Sequence, residues 1–337
     1  MIKQHVLLFI VTIALLLTTS GCSSKKYFEP EFTHGDYDIS GSLEEVIVDT
    51  NSEGAVLSNG KVISKDGLED ATLKNGYTFI SKSGGYIISG SINGTLNFEI
   101  LDKKDVNESS DIKIELKKTV AGVTLKDDIL AVLFANNEMA LYQFSTQKLI
   151  LKEQGNAPAV LDNRIVNPYF LNDLVLFLTL DGKVVIISTQ TKEVLRSSIV
   201  SSADNFNNVI YFNVINNKLL AATPTRLLLI SEKESRNSFE LRDIVFDDDG
   251  IWLSTKQGEV FFLSDTFEVK AKQKFPFAHF LGMVVKDKIY LLEKEGYLIV
   301  VEKDFSEYKV YEVDVDDGYV FVGKDRIYFD DNYITFK

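Results

Sequence analysis

The sequence predicts an all-β propeller of about eight four-stranded blades, with seven as the fallback, behind a short N-terminal export and anchoring segment. Three observations predict it. Past residue 42, apolar residues recur in alternating or continuous runs of four to eight, rich in Val, Ile, Leu, Phe and Tyr, and no long stretch keeps a helical period. A hairpin signal (apolar run, two-residue turn, apolar run) returns eight times. The returns are spaced near 40 residues, the length of one propeller blade.

The N-terminus reads first. Lys3 supplies a positive charge, Val6 to Leu17 an apolar run interrupted only by Thr12, and Thr18-Thr19-Ser20-Gly21 a small-residue stretch before Cys22. The run is too short to span a bilayer, so 1–21 is a signal peptide cleaved between Gly21 and Cys22. Its last residues resemble the bacterial lipobox, with Thr19 in place of the usual Leu, and the resemblance implies acylation of Cys22. Cys22 is the only cysteine, so no disulfide forms and stability must come from a packed core. Several acyl chains, at roughly 0.8 kcal/mol per buried CH₂, would hold the protein permanently on a membrane. Ser23-Ser24-Lys25-Lys26 follows, without the Asp that in this lipoprotein class favours retention at the inner membrane. An outer-membrane anchor facing the periplasm is therefore expected. Residues 22–41 lack hydrophobic periodicity and read as a lipidated tether, leaving 42–337 for the propeller.

The hairpin turns are Asn59-Gly60, Asn93-Gly94, Asn136-Asn137, Asp181-Gly182, Pro224-Thr225, Gln257-Gly258, Glu295-Gly296 and Asp331-Asn332. Most carry the Asn, Asp or Gly that a tight hairpin needs for positive φ; Pro224 is the exception. The first strands of the hairpins, marked by Val56, Ile87, Ile129, Leu174, Leu219, Ile251, Ile289 and Ile327, lie 31, 42, 45, 45, 32, 38 and 38 residues apart. Pieces such as Asp111 to Leu116 and Val120 to Leu125 supply the outer strand of one blade and the inner strand of the next. The last hairpin ends at Lys337 without a complete blade, and Asp38 to Ser40 with Glu45 to Asp49 are strand-like without a hairpin. Pairing these ends closes the ring and leaves no open edge. A parallel β-helix would need much shorter repeats.

Chemistry is sparse. Past the signal only His34 and His279 remain, which excludes a multi-histidine metal site, and no G-x-S-x-G elbow is present. Gly54 to Lys61 lacks phosphate-loop spacing, and Ser58-x-x-Lys61 falls on a predicted hairpin. Asp247-Asp248-Asp249-Gly250 and Asp314-Val315-Asp316-Asp317-Gly318 precede strands without EF-hand spacing and read as turns. Trp252, the only tryptophan, is expected to pack in the core. No catalytic, cofactor or metal residue is assigned. A net charge of −13 with pI near 4.8 disfavours nucleic acid and anionic lipid as partners.

The unit from Asn172 to Ile187 around Asp181-Gly182, followed by Thr191-Lys192-Glu193-Val194-Leu195, resembles the PQQ-like propeller repeat. One Trp and one Cys cannot supply the blade tryptophans and adjacent cysteines of the quinoprotein dehydrogenases in that family. Lipobox and eight repeats together resemble the BamB-like accessory lipoproteins of the outer-membrane β-barrel assembly machinery. That resemblance implies a single propeller, without cofactor, that acts as a scaffold within a complex and binds the barrel-inserting subunit through its loops. The alternatives are a ligand-binding or enzymatic propeller using the central channel, and a surface-exposed adhesion lipoprotein.

Overall fold

A computed structural model describes residues 26–101 and 111–337. The strands form eight four-stranded antiparallel sheets set as the blades of a propeller, and among the described residues there is no helix. From blade 1 to blade 8 the strands lining the central channel are Ile47–Thr50, Tyr77–Ser83, Val120–Lys126, Tyr169–Leu171, Tyr211–Ile215, Leu241–Phe246, Phe280–Val285 and Val320–Val322. The short first and fifth intervals reflect brief connections, since both blades are complete.

The second and third strands of a blade have sheets on both sides, which explains their continuous apolar runs. In Ile129–Phe134, five of six residues are buried. Outer strands touch a neighbour less and alternate, as in Val269–Lys274, where Lys270, Lys272 and Lys274 are exposed. The core is accordingly not central but split among the junctions. Ile88, Leu96 and Phe98 of blade 2 pack on Val123, Leu130 and Val132 of blade 3. Phe321 and Tyr328 of blade 8 pack on Ile47, Ala55 and Leu57 of blade 1. Each fully buried side chain of this size contributes about 1.5–3 kcal/mol.

The meander gives the ring two faces. One, the hairpin face, carries the turns between second and third strands together with the blade-to-blade connections; the other, the turn face, carries the remaining turns. On the hairpin face each connection is bonded to the turn beside it, as Leu116 N to Gly94 O (2.9 Å) and Phe275 N to Gly258 O (2.7 Å). Gly94 is needed there twice over: its φ is +82°, and a Cβ would stand 2.2 Å from Lys118 O.

Three expectations shift. The last hairpin turns at Asp330-Asp331, one residue early, because Asp330 takes the left-handed conformation (φ 51°) and Asn332 already belongs to the strand. The Pro224 hairpin forms without a positive φ, held by Thr223 N to Arg226 O (2.9 Å). Closure uses one N-terminal strand rather than two. Val320–Val322 supplies the inner strand of blade 8, so only its outer strand is missing, and Gly41–Ser42 fills that place opposite Tyr333 and Asn332. Ile47–Thr50 instead opens blade 1.

Within the segment expected as a tether, residues 28–40 lie against the ring. Phe28 is buried edge-on to Phe275 and Tyr297 between blades 6 and 7. Residues 34–37 then run parallel to the outer strand of blade 7, Tyr308–Glu312, through His34 N to Val310 O (2.7 Å) and Glu312 N to Gly35 O (3.0 Å).

Candidate functional site

The central channel is plugged by its own chain. The inner strand of blade 4 has three residues where those of blades 2 and 3 have seven. The connection before it, residues 155–168, enters on the hairpin face at Gly155, bonded to Asn137 O (2.9 Å), and crosses the channel before joining the sheet. Five blades hold it. Ser52 of blade 1 donates to Ile165 O. Asn167 accepts from Val123 N of blade 3 (2.9 Å) and donates to Ile80 O of blade 2 (3.2 Å). Arg164 donates to Arg242 O of blade 6 (2.6 Å), and Asn208, leading into blade 5, bonds both backbone groups of Asp162.

Two of the charges inside are spent on one another. Arg164 grips Asp162 with two parallel bonds, Nε to Oδ1 (2.8 Å) and Nη2 to Oδ2 (2.7 Å). Burial pushes the Asp162 carboxyl up, but the bonds and charge of Arg164 more than reverse this and leave it below the ordinary aspartate value. Asp243 lines the same space, enclosed by protein but still open to the cavity. Burial raises its carboxyl, opposed by backbone N–H groups of Ile244 (2.8 Å) and Met283 (3.0 Å). Around the cavity Lys65 pairs with Glu53, and Lys82 and Lys324 with Asp66. The cavity left is about 690 Å³.

Neither histidine lines it. His34 sits at the edge of blade 7 beside Phe32 and Tyr311, and His279 is exposed in the blade 6–7 connection, its backbone N–H donating to Glu293 Oε1 (2.9 Å). No nucleophile–histidine pair is therefore assembled in the channel among the described residues. The acidic runs act as turns. Asp247 accepts from Asp249 N, Gly250 N and the Trp252 indole (3.0 to 3.1 Å), and Asp316 N donates to Asp330 (2.9 Å). Trp252 is buried and stacked on Phe262 at 4.0 Å, as expected. Gly54 to Lys61 forms a hairpin. Gly21 and Cys22 lie outside the described residues.

Sequence reasoning missed the plug. Its signal was the polar, proline-containing stretch Gly155 to Pro168, too long for an ordinary blade connection. It also missed how apolar groups divide between the faces. Val46, Ile92, Val160, Phe206, Phe277 and Tyr319 all stand on hairpin-face loops and are each about half exposed or more, Ile92 at 80%. Among the described residues, no large apolar side chain in the turns of the opposite face is exposed.

These features define a class: an eight-bladed propeller, closed by its N-terminal strand, with its channel crossed by a loop. No protein-family model matches the sequence. Over 98% of its length the chain is 27% identical to the plasminogen-binding protein PgbB of one Helicobacter pylori strain and 26% identical to that of another, spanning 71% of each relative. Among solved structures, BamB from Moraxella catarrhalis superposes with a TM-score of 0.63 at 14% identity, covering 86% of this chain and 94% of that one. The C-terminal WD40 domain of Sif2 reaches the same 0.63 at 12%, covering 91% and 99%. The resemblance to a BamB-like propeller thus holds at the level of the fold.

Proposed function

We propose that this chain is a non-catalytic, lipid-anchored outer-membrane lipoprotein whose rigid ring works by binding other proteins. The observation that carries this reading is the plugged channel. The loop crosses the axis and spends Arg164 on Asp162, which turns this reading to the outside of the ring. Cys22 is the anchor in this reading, with cleavage after Gly21 and no cofactor. The mass of the N-terminal peptide from the membrane fraction tests it; an unacylated Cys22 would refute the anchor.

Two partners fit such a ring, and coverage orders them. The relatives matched over 98% of this chain are named for binding plasminogen, so capture of that protein at the cell surface comes first. The second reading is a periplasmic scaffold for outer-membrane barrel assembly that contacts the barrel-inserting subunit; the propeller shared with BamB supports it. Protease added to intact cells separates them. Cleavage of the propeller, with plasminogen retained on the cells, supports the first. Protection, with the barrel-inserting subunit recovered after crosslinking, supports the second.

A further inference from the structure

The described chain begins at Lys26, on the hairpin face. The Lys26 ammonium lies 5.1 Å from the centroid of the Phe277 ring, and Phe28 is buried two residues later beside Phe275, so this end is fixed to the connection between blades 6 and 7. Cys22 is four residues upstream of Lys26. Four residues span at most about 14 Å, even fully extended. An acyl group on Cys22 therefore enters its bilayer close to the hairpin face. That face carries Val46, Ile92, Val160, Phe206, Phe277 and Tyr319, spread over the loops of six blades.

Resting on the reading that Cys22 is acylated, we propose that the hairpin face is a membrane-docking surface. The ring lies with this face on the bilayer, its exposed apolar loop residues in the headgroup region and its turn face directed away. The reach of the anchor argues for lipid rather than a protein, because it holds the blade 6–7 connection of this face within about 14 Å of the acylated residue. Spread over the ring, the six side chains keep the propeller from tilting onto one rim. Docking is apolar rather than electrostatic: Asp314, Asp316 and Asp317 share the face with Lys26, so zwitterionic lipid suits it as well as anionic lipid. The surface left free for proteins is then the turn face and the outer strands.

Acylation consumes the thiol of Cys22, so single introduced cysteines can be labelled in the full lipoprotein. Ile92→Cys and Val160→Cys report the hairpin face; Thr146→Cys and Glu232→Cys, both exposed on the turn face, serve as references. Each carries a polarity-sensitive fluorophore in phosphatidylethanolamine vesicles with or without brominated acyl chains. The hairpin-face labels should shift to the blue and be quenched at a depth of about 5–10 Å, with the references unchanged. Hairpin-face labels as wet as the references would overturn the proposal. So would labels shielded from water yet unquenched by brominated lipid, since a protein would then cover the face. The N-terminal peptide mass from the same sample tests the anchor separately: acylated Cys22 with wet labels rejects the surface alone, whereas an unacylated chain whose hairpin-face labels are quenched beyond a parent labelled only at Cys22 rejects the anchor alone.

Discussion

The two faces of this ring use the same backbone device for opposite ends. Phe267 and Phe305 sit on the turn face at left-handed positions (φ 64° and 59°), and both rings fold inward. Phe267 is buried in the junction of blades 5 and 6, and Phe305 stacks parallel to Trp252. Phe206 and Phe277 sit on the hairpin face with φ of 49° and 66°, and both point into solvent at about half exposure. A bulky residue at positive φ is strained wherever it occurs. On the turn face burial offsets the strain; on the hairpin face Phe206 and Phe277 stay about half in solvent, with only the Lys26 ammonium over the Phe277 ring, which marks those loops as surfaces made for contact.

The largest test of this contrast is to truncate one ring from each face. Phe267→Ala should cost about 3–5 kcal/mol of stability in chemical denaturation. Phe206→Ala should stay within about 0.5 kcal/mol. Equal losses would mean that Phe206 belongs to the core and would remove the distinction.

Glycines sharpen it at a smaller scale. On the hairpin face Gly258 (φ 73°) is hemmed by Phe275 O, 2.3 Å from where a Cβ would stand; on the turn face Gly85 (φ 82°) has nothing within 4 Å. Gly258→Ala should lose about 2–3 kcal/mol, through strain plus displacement of the connection, and Gly85→Ala only about 1 kcal/mol. Thermal midpoints of the two variants would show whether the hairpin face is the more tightly built.

The plug comes next. Asn167→Ala removes two bonds that tie the loop to blades 2 and 3 and should destabilise by about 1–3 kcal/mol, with amide exchange rising first over residues 163–168.

The smallest effect is a pH dependence. The folded value of Asp162 lies below its ordinary one, so its contribution is complete above the ordinary aspartate value and is lost as pH falls through the lower folded value. The folded value of Asp243 is raised, so its ionisation costs stability as pH rises from the ordinary value through the folded one. Denaturation midpoints of Asp162→Asn should therefore fall less steeply than those of the parent below about pH 4. An unchanged acid limb would show that the Arg164 pair does not hold the plug.

Much of the fold was legible in the sequence because it repeats. Turn pairs such as Asn93-Gly94 and Asp181-Gly182 announce left-handed positions that few other residues tolerate, and runs such as Ile129–Phe134 show by their continuity that both faces of a strand are covered. Position along the chain also gave the period, hence eight blades. The closing strand was less legible, because Gly41–Ser42 has almost no side chain to mark it and is a strand only through its pairing with Tyr333 and Asn332.

The lipobox-like context of Cys22 is legible in sequence alone, as small residues at fixed spacing behind an apolar run. Which side of the ring the described chain begins on is decided by packing, through Phe28 wedged between blades 6 and 7. The plug is likewise tertiary: Asp162, Arg164, Asn167 and Asp243 are unremarkable polar residues in their own stretches, and become one network only where eight blades converge on a single axis. The sorting of phenylalanines to opposite ends has the same cause. Local sequence sets each left-handed turn, but whether its ring meets a core or solvent depends on which end of the blade the turn occupies.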